Sequence, residues 1–204
     1  MLSEKKEHWE HVYRTKNPQQ VSWTQENPKT SFNYIKNSDL AKNSAIIDVG
    51  GGDSFLVDYL LKEGYTNLTV LDISEQAIER AKKRQGTLGN TVNWIVSDVL
   101  NFKPSKPFDL WHDRAAFHFL TNASEKNTYK DLVDQHVTRH LVIATFSNDG
   151  PIKCSGLVIS QYNEKELTSF FQPAFQLLNS KQEDHQTPFN TIQNFQFVHL
   201  KRTS

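Results

Sequence analysis

Only one of the 204 residues is a cysteine, so no disulfide can form within the chain and packing alone must hold it together. No apolar run approaches the roughly 20 residues that a membrane-crossing helix needs. Neither sign of charge dominates: 23 Lys and Arg stand against 23 Asp and Glu, which removes whole-molecule attraction to nucleic acid. The opening residues, Met1-Leu2-Ser3-Glu4-Lys5-Lys6-Glu7, carry charges where a secretory leader would carry an apolar core. Together these absences predict a soluble protein of a reducing compartment, with the cytoplasm as default, and no membrane or nucleic-acid partner. The length suits one domain, residues 1–204, with ample core. Glycine is also scarce, eight in all, yet three of the eight are consecutive.

Those three sit in Ser44–Tyr59, SAIIDVGGGDSFLVDY. Ala45-Ile46-Ile47 and Val49 read as a short buried strand. Gly50, Gly51 and Gly52 let the backbone turn sharply and approach a ligand. Asp53 or Ser54 can cap a helix whose apolar positions Phe55, Leu56, Tyr59, Leu60 and Leu61 recur at helical spacing. The pattern repeats with Leu68–Leu71, ending at Asp72, followed by a Ser74-capped helix carrying Ala77, Ile78 and Ala81. Val92–Val96 ends in Ser97-Asp98-Val99, and Phe108–Trp111 ends in His112-Asp113-Arg114. Four successive strands thus end in polar residues on one expected rim, and Asp72 lies 22 residues beyond Gly50, where an open α/β sheet presents an acid to a ribose.

With these motifs the chain resembles the class I, Rossmann-like S-adenosylmethionine-dependent methyltransferases. Asp48-Val49-Gly50-Gly51-Gly52 is similar to their acid-x-Gly-x-Gly motif, with Ser54 where many carry a third glycine. Further along, Val21–Gln25, His112–Phe119, Gly150–Gly156 and Glu183–Pro188 echo small bacterial methyltransferases, mostly of unassigned substrate. The resemblance implies a doubly wound, mostly parallel seven-stranded sheet with the last strand pair antiparallel and helices on both faces. It implies S-adenosyl-L-methionine as cofactor, held by Trp23, Asp48, Gly50, Gly51, Gly52, Asp72 with its neighbour Ile73, Asp98, Val99 and His112. Within that motif Gly50 and Gly52 are expected to face the ligand, leaving Gly51 the most tolerant of a side chain.

The residue chemistry favours that cofactor over a nicotinamide dinucleotide. A pyrophosphate site wants Gly-x-Gly-x-x-Gly, but the third glycine position here is Phe55. An acid directly before the glycines, Asp48, suits a cationic amino-acid end and not a phosphate. The expected function is methyl transfer to an unidentified acceptor, a small molecule in preference to a protein lysine. The rival readings are a non-catalytic cofactor-binding partner protein and an NAD-dependent oxidoreductase.

Residues 1–43 lie outside what the 44–204 core needs. Glu4–Thr15 and Lys29–Lys36 read as helices, the first carrying Trp9, Val12 and Tyr13, with a polar, proline-bounded segment around Trp23 between them. Trp9 is expected to pack this extension; Trp23 suits either packing or a cover over the cofactor. The basic run Arg80, Lys82, Lys83, Arg84 reads as a solvated helix face. A helix near Ser124–Thr138, a strand Leu141–Phe146, a long 147–160 connection, a helix Glu164–Phe171 and strands Phe175–Ser180 and Phe195–Leu200 complete the chain.

Methyl transfer is an in-line displacement, so the protein mainly aligns the groups, and a base is needed only when the nucleophile is protonated. The expected catalytic groups are Asp113 and His118, after the fourth strand, with His185 opposite if its strand runs parallel to the first five. His118 fits a satisfied core histidine equally well. Asp113-Arg114 can simply organise a loop, or Arg114 can hold a carboxylate. Cys154 has no adjacent catalytic partner and reads as a loop residue. No metal is expected, and monomer and dimer stay open.

Overall fold

The computed structural model describes residues 4–203, so Met1–Ser3 of the charged opening lie outside the described residues. Two N-terminal helices, α1 (Glu4–Thr15) and α2 (Lys29–Lys36), precede the glycine strand β1 (Ile46–Val49). Then come α3 (Leu56–Lys62), β2 (Leu68–Asp72), α4 (Glu75–Gln85), β3 (Asn93–Val96), β4 (Phe108–Arg114), α5 (Ala123–His136) and β5 (Val137–Phe146). A small hairpin, β6 (Lys153–Cys154) and β7 (Leu157–Val158), leads to α6 (Glu164–Phe171), β8 (Phe175–Gln186) and β9 (Ile192–Arg202).

Seven strands form one sheet in the order β3-β2-β1-β4-β5-β9-β8. β1 to β5 are mutually parallel, while β9 is antiparallel to both neighbours. β8 therefore runs with the first five strands, and its carboxyl end shares their rim. The central strands are buried on both faces, and their successive residues enter different cores. Ile46, Val70, Leu110 and Val142 pack with Ile35 of α2, Leu56 and Leu60 of α3 and Ile78 of α4. Ile47, Leu71, Trp111 and Ile143 pack on the other face with Tyr129 and Val133 of α5 and Leu167 and Phe171 of α6. This is the doubly wound, Rossmann-like architecture.

Local signals account for most element ends. Ser74 and Asn122 cap α4 and α5, each side chain accepting a first-turn N–H, and Asn163 forms a capping box with Glu166 at α6. α3 differs from expectation: Phe55 occupies its N-cap without a side-chain bond, and the Ser54 hydroxyl accepts from Leu56 N one residue in. Burial holds it instead, because Leu56, Val57 and Leu60 at roughly 1.5–3 kcal/mol each outweigh a cap worth about 1 kcal/mol. Asp53 is engaged elsewhere, by Arg80 and Arg84 of α4 at 3.3 and 3.1 Å. The basic run is thus split. Arg80 and Arg84 turn inward, Arg84 also reaching Asp58 and the Ser54 carbonyl, while Lys82 stays on the surface with Glu79.

Two strands run further than their apolar cores suggested. β4 continues through His112, Asp113 and Arg114, and β8 through Glu183, Asp184 and His185, because both strands have paired neighbours along those residues. The N-terminal helices lie against this frame. Glu10 of α1 accepts hydrogen bonds from the first N–H groups of α4, Glu75 N at 2.7 Å and Gln76 N at 3.3 Å, and from the Ser74 hydroxyl at 3.0 Å. In return Arg80 of α4 donates to the Tyr13 and Lys16 carbonyls at the end of α1. Each helix thereby satisfies an orphaned end of the other. Glu10→Ala is expected to lower stability by about 0.5–2 kcal/mol, as loss of a cap does, read as a shift in the urea midpoint at unchanged slope.

Candidate active site

The carboxyl ends of β1 to β4 open into a cleft, about 1260 Å³ with the open solvent at its mouth included, which Asp48, Gly50, Gly51, Asp72, Ile73, Asp98, Val99 and His112 line. At its base is Asp48, nearly fully buried in β1. One carboxylate oxygen accepts from His112 Nδ1 at 2.7 Å; the other, Oδ2, is buried with no partner among the described residues. His112 Nε2 pairs in turn with the Ser31 hydroxyl of α2 at 2.9 Å.

The glycine turn follows. Gly50 has φ +69°, in the left-handed region where a side chain is strained. A Cβ at Gly51 would lie 2.3 Å from Asp48 Oδ2, so the middle glycine is not the tolerant position that the motif suggested. Gly52 donates its N–H to Asp72 Oδ2 at 3.0 Å, and Asp72 Oδ1 accepts from Ser74 N at 2.9 Å. Burial nevertheless dominates and pushes the Asp72 carboxyl up to about 6, against the lowering effect of those two N–H donors. Asp98 accepts from Leu100 N at 2.9 Å and starts the turn that presents Val99.

The expected catalytic residues do not line the cleft. Asp113 is fully buried: Oδ1 accepts from Ala116 N and Phe117 N at 2.9 and 3.0 Å, and Oδ2 from the Tyr129 hydroxyl at 2.8 Å. Strand alternation sends Asp113 toward α5, with Trp111, while His112 and Arg114 point the other way. Its task is to hold the turn in which Ala115 takes φ +68°. His118 is fully buried, its Nδ1 accepting from Phe146 N at 3.4 Å, and burial followed by the Arg114 charge lowers its pKa to about 3. An imidazole so disposed stays neutral and out of reach of an acceptor. His185 donates from Nε2 to the Ser22 carbonyl at 2.8 Å and packs on Phe195, its pKa lowered first by burial. It anchors the segment before Trp23.

That segment forms one wall. Trp23 lines the cleft, its carbonyl accepting from Arg114 Nη1 at 3.1 Å. Trp9, expected only to pack the extension, also lines the cleft, with its ring 5.6 Å from Trp23 and 5.1 Å from Phe119. Arg114 is a lining residue that the sequence left undecided, and Tyr13 and Ser31 were missed, since only tertiary packing brings α1 and α2 onto the rim. Cys154 is buried at the cleft edge, its thiol pushed up to about 12 by burial, so it is no nucleophile. Among the described residues no His, Cys, Asp and Glu group is arranged to hold a metal ion, and no helix is long and apolar enough to cross a membrane.

Residues 46–135 match the profile described as a methyltransferase domain. The chain is similar to the EEF1A lysine methyltransferase 2 of Danio rerio, with 24% identity over 85% of this chain and 76% of that protein. It is 35% identical to malonyl-[acyl-carrier protein] O-methyltransferase 1 of Ilyobacter polytropus over 39% of its own length, spanning only 30% of that relative. Its fold resembles the magnesium protoporphyrin IX methyltransferase of Synechocystis with bound S-adenosylmethionine, at TM-score 0.68 and 15% identity over 99% of this chain and 93% of that one. With the strand order and the glycine turn behind its first strand, these matches identify the chain as a class I S-adenosylmethionine-dependent methyltransferase.

Proposed function

We propose that this enzyme methylates a small molecule held between the cofactor and an aromatic cover formed by residues 4–43. The observation that carries this reading is the packing of Trp9 and Trp23 with Phe119 over the rim after β4, beside the glycine turn. Aromatic walls suit a compact, partly apolar acceptor better than an extended chain. A protein lysine is the second reading, supported by the similarity to the lysine methyltransferase. Methyl-labelled cofactor incubated with a fractionated lysate separates the two: label in the metabolite pool supports the small acceptor, label in protein the second. A buried free thiol suits a reducing compartment, and we place the enzyme in the cytoplasm.

The residues present fit the cofactor. The unpartnered Asp48 Oδ2 suits its ammonium, Asp72 its ribose hydroxyls, and Asp98 with the Val99 backbone its adenine edge. When bound, the cofactor supplies an electrophilic methyl and a good leaving sulfide. The chain's part is to bind, align and exclude water, because the imidazoles nearest the rim are all engaged or buried.

Gly51→Ala is expected to weaken S-adenosylhomocysteine binding as severely as Gly50→Val, because its Cβ displaces the Asp48 carboxylate; calorimetry on the two variants checks this. Affinity also depends on pH through Asp72. Its carboxyl is raised in the fold, so the ionised form that accepts two hydroxyl donors is lost as pH falls through about 6. Binding should weaken from pH 7 to pH 5, and Asp72→Asn should be weak at both, by roughly 1.5–3 kcal/mol. Trp23→Ala is expected to reduce turnover while leaving cofactor affinity within a few-fold, measured by the same titration beside a methyl-transfer assay.

A further inference from the structure

The cleft is lined by a half-buried cation to which no carboxylate is bonded among the described residues. Arg114, at the end of β4, lines the cleft with its guanidinium carbon 4.4 Å from the Phe195 ring centroid. Nη1 donates to the Trp23 carbonyl, but Nε and Nη2 are buried with no partner among the described residues. The carboxylates whose charge reaches it make no hydrogen bond to it. Glu183 accepts from Thr30 and from Lys181, the latter at 2.8 Å, and Asp48 binds His112 through Oδ1 and leaves Oδ2 for the cofactor's ammonium. A desolvated, unpaired guanidinium is costly unless a ligand brings the opposite charge. Its planar fork matches a carboxylate.

We propose that Arg114 is the carboxylate-binding residue for the methyl acceptor, and that the acceptor is an aromatic or otherwise apolar carboxylic acid. This rests on the small-acceptor reading above. Position separates the acceptor's carboxylate from that of the cofactor. The cofactor-facing acids belong to β1, β2 and the end of β3, whereas Arg114 leans toward β9, on the far side of β4. Trp9, Trp23 and Phe119 supply the apolar wall beside it. The engaged or buried imidazoles near the cleft agree, since a carboxylate is already ionised at neutral pH and needs no base. In the transfer, one acceptor oxygen forms the O–CH₃ bond as the S–CH₃ bond breaks. The sulfur keeps the electron pair, its positive charge is cancelled, and no proton moves. An ammonium acceptor, by contrast, would have to lose a proton and would sit beside a like charge.

The test uses the full chain loaded with S-adenosylhomocysteine, titrated with phenylacetate and with phenethylamine, followed by tryptophan fluorescence and calorimetry. Phenylacetate is expected to saturate and phenethylamine to bind at least tenfold more weakly. Arg114→Gln should weaken phenylacetate tenfold or more, Arg114→Lys should recover part of that loss, and S-adenosylhomocysteine affinity should stay within twofold in both. Equal binding of the two probes, no saturable phenylacetate binding, or an unaffected Arg114→Gln variant overturns the proposal. So does loss of S-adenosylhomocysteine affinity in Arg114→Gln with 5′-methylthioadenosine affinity intact, which would give Arg114 to the cofactor's own carboxylate. Failure of the wild-type chain to bind S-adenosylhomocysteine would instead remove the cofactor assignment beneath it.

Discussion

The site is organised around one buried carboxylate whose two oxygens have different partners. Asp48 Oδ1 is tied to His112, and through His112 to Ser31 of α2, while Oδ2 is kept bare at the floor of the cleft. A carboxylate at such depth persists only where each contact is in place. β4 must therefore pair with β1 in the register that sets Asp48 beside His112, and the residue at 51 must lack a side chain. α2 must seat itself so that Ser31 reaches the imidazole. The first strand, the fourth strand and the N-terminal extension are thus fixed relative to one another by a chain of three side chains.

The rim at the ends of β1 to β3 was legible in the sequence because it depends on local pattern. Short apolar runs followed by Gly50–Gly52, Asp72 and Asp98 specify strand ends on one rim, and strand ends are where an open α/β sheet binds ligands. The rim after β4 was not legible to the same degree. His112, Asp113 and Arg114 read as a polar loop after Phe108–Trp111, whereas pairing with β1 and β5 keeps them in the strand. Had β4 been read through Arg114, its two-residue period would have placed Asp113 opposite His112 and Arg114. The histidines failed for a different reason. Burial of His118 and capture of His185 by the Ser22 carbonyl are tertiary outcomes with no local signature.

Electrostatics at the rim follow from dryness more than from pairing. Burial is the main influence at Asp72, Asp113, Arg114, His118 and Cys154 alike, and in each case it pushes the group toward its neutral form. A site of this kind is poor at trading protons and good at excluding water from a displacement whose leaving group departs without help. Rigidity then matters more than basicity. Asp113 serves it from behind by clamping the turn through Ala115, and Trp111 and Tyr129 clamp Asp113 in their turn.

Glu10 also bears on what the start of α4 can receive. The first turn of a helix is where a phosphate finds free N–H donors and a favourable dipole, and α4 begins just past Asp72. In this protein that turn is already filled by a carboxylate from α1. A phosphate brought to that turn would meet the Glu10 and Asp72 carboxylates together. The contact that joins α1 to α4 therefore also sets a negative charge where a free helix start would offer a positive one.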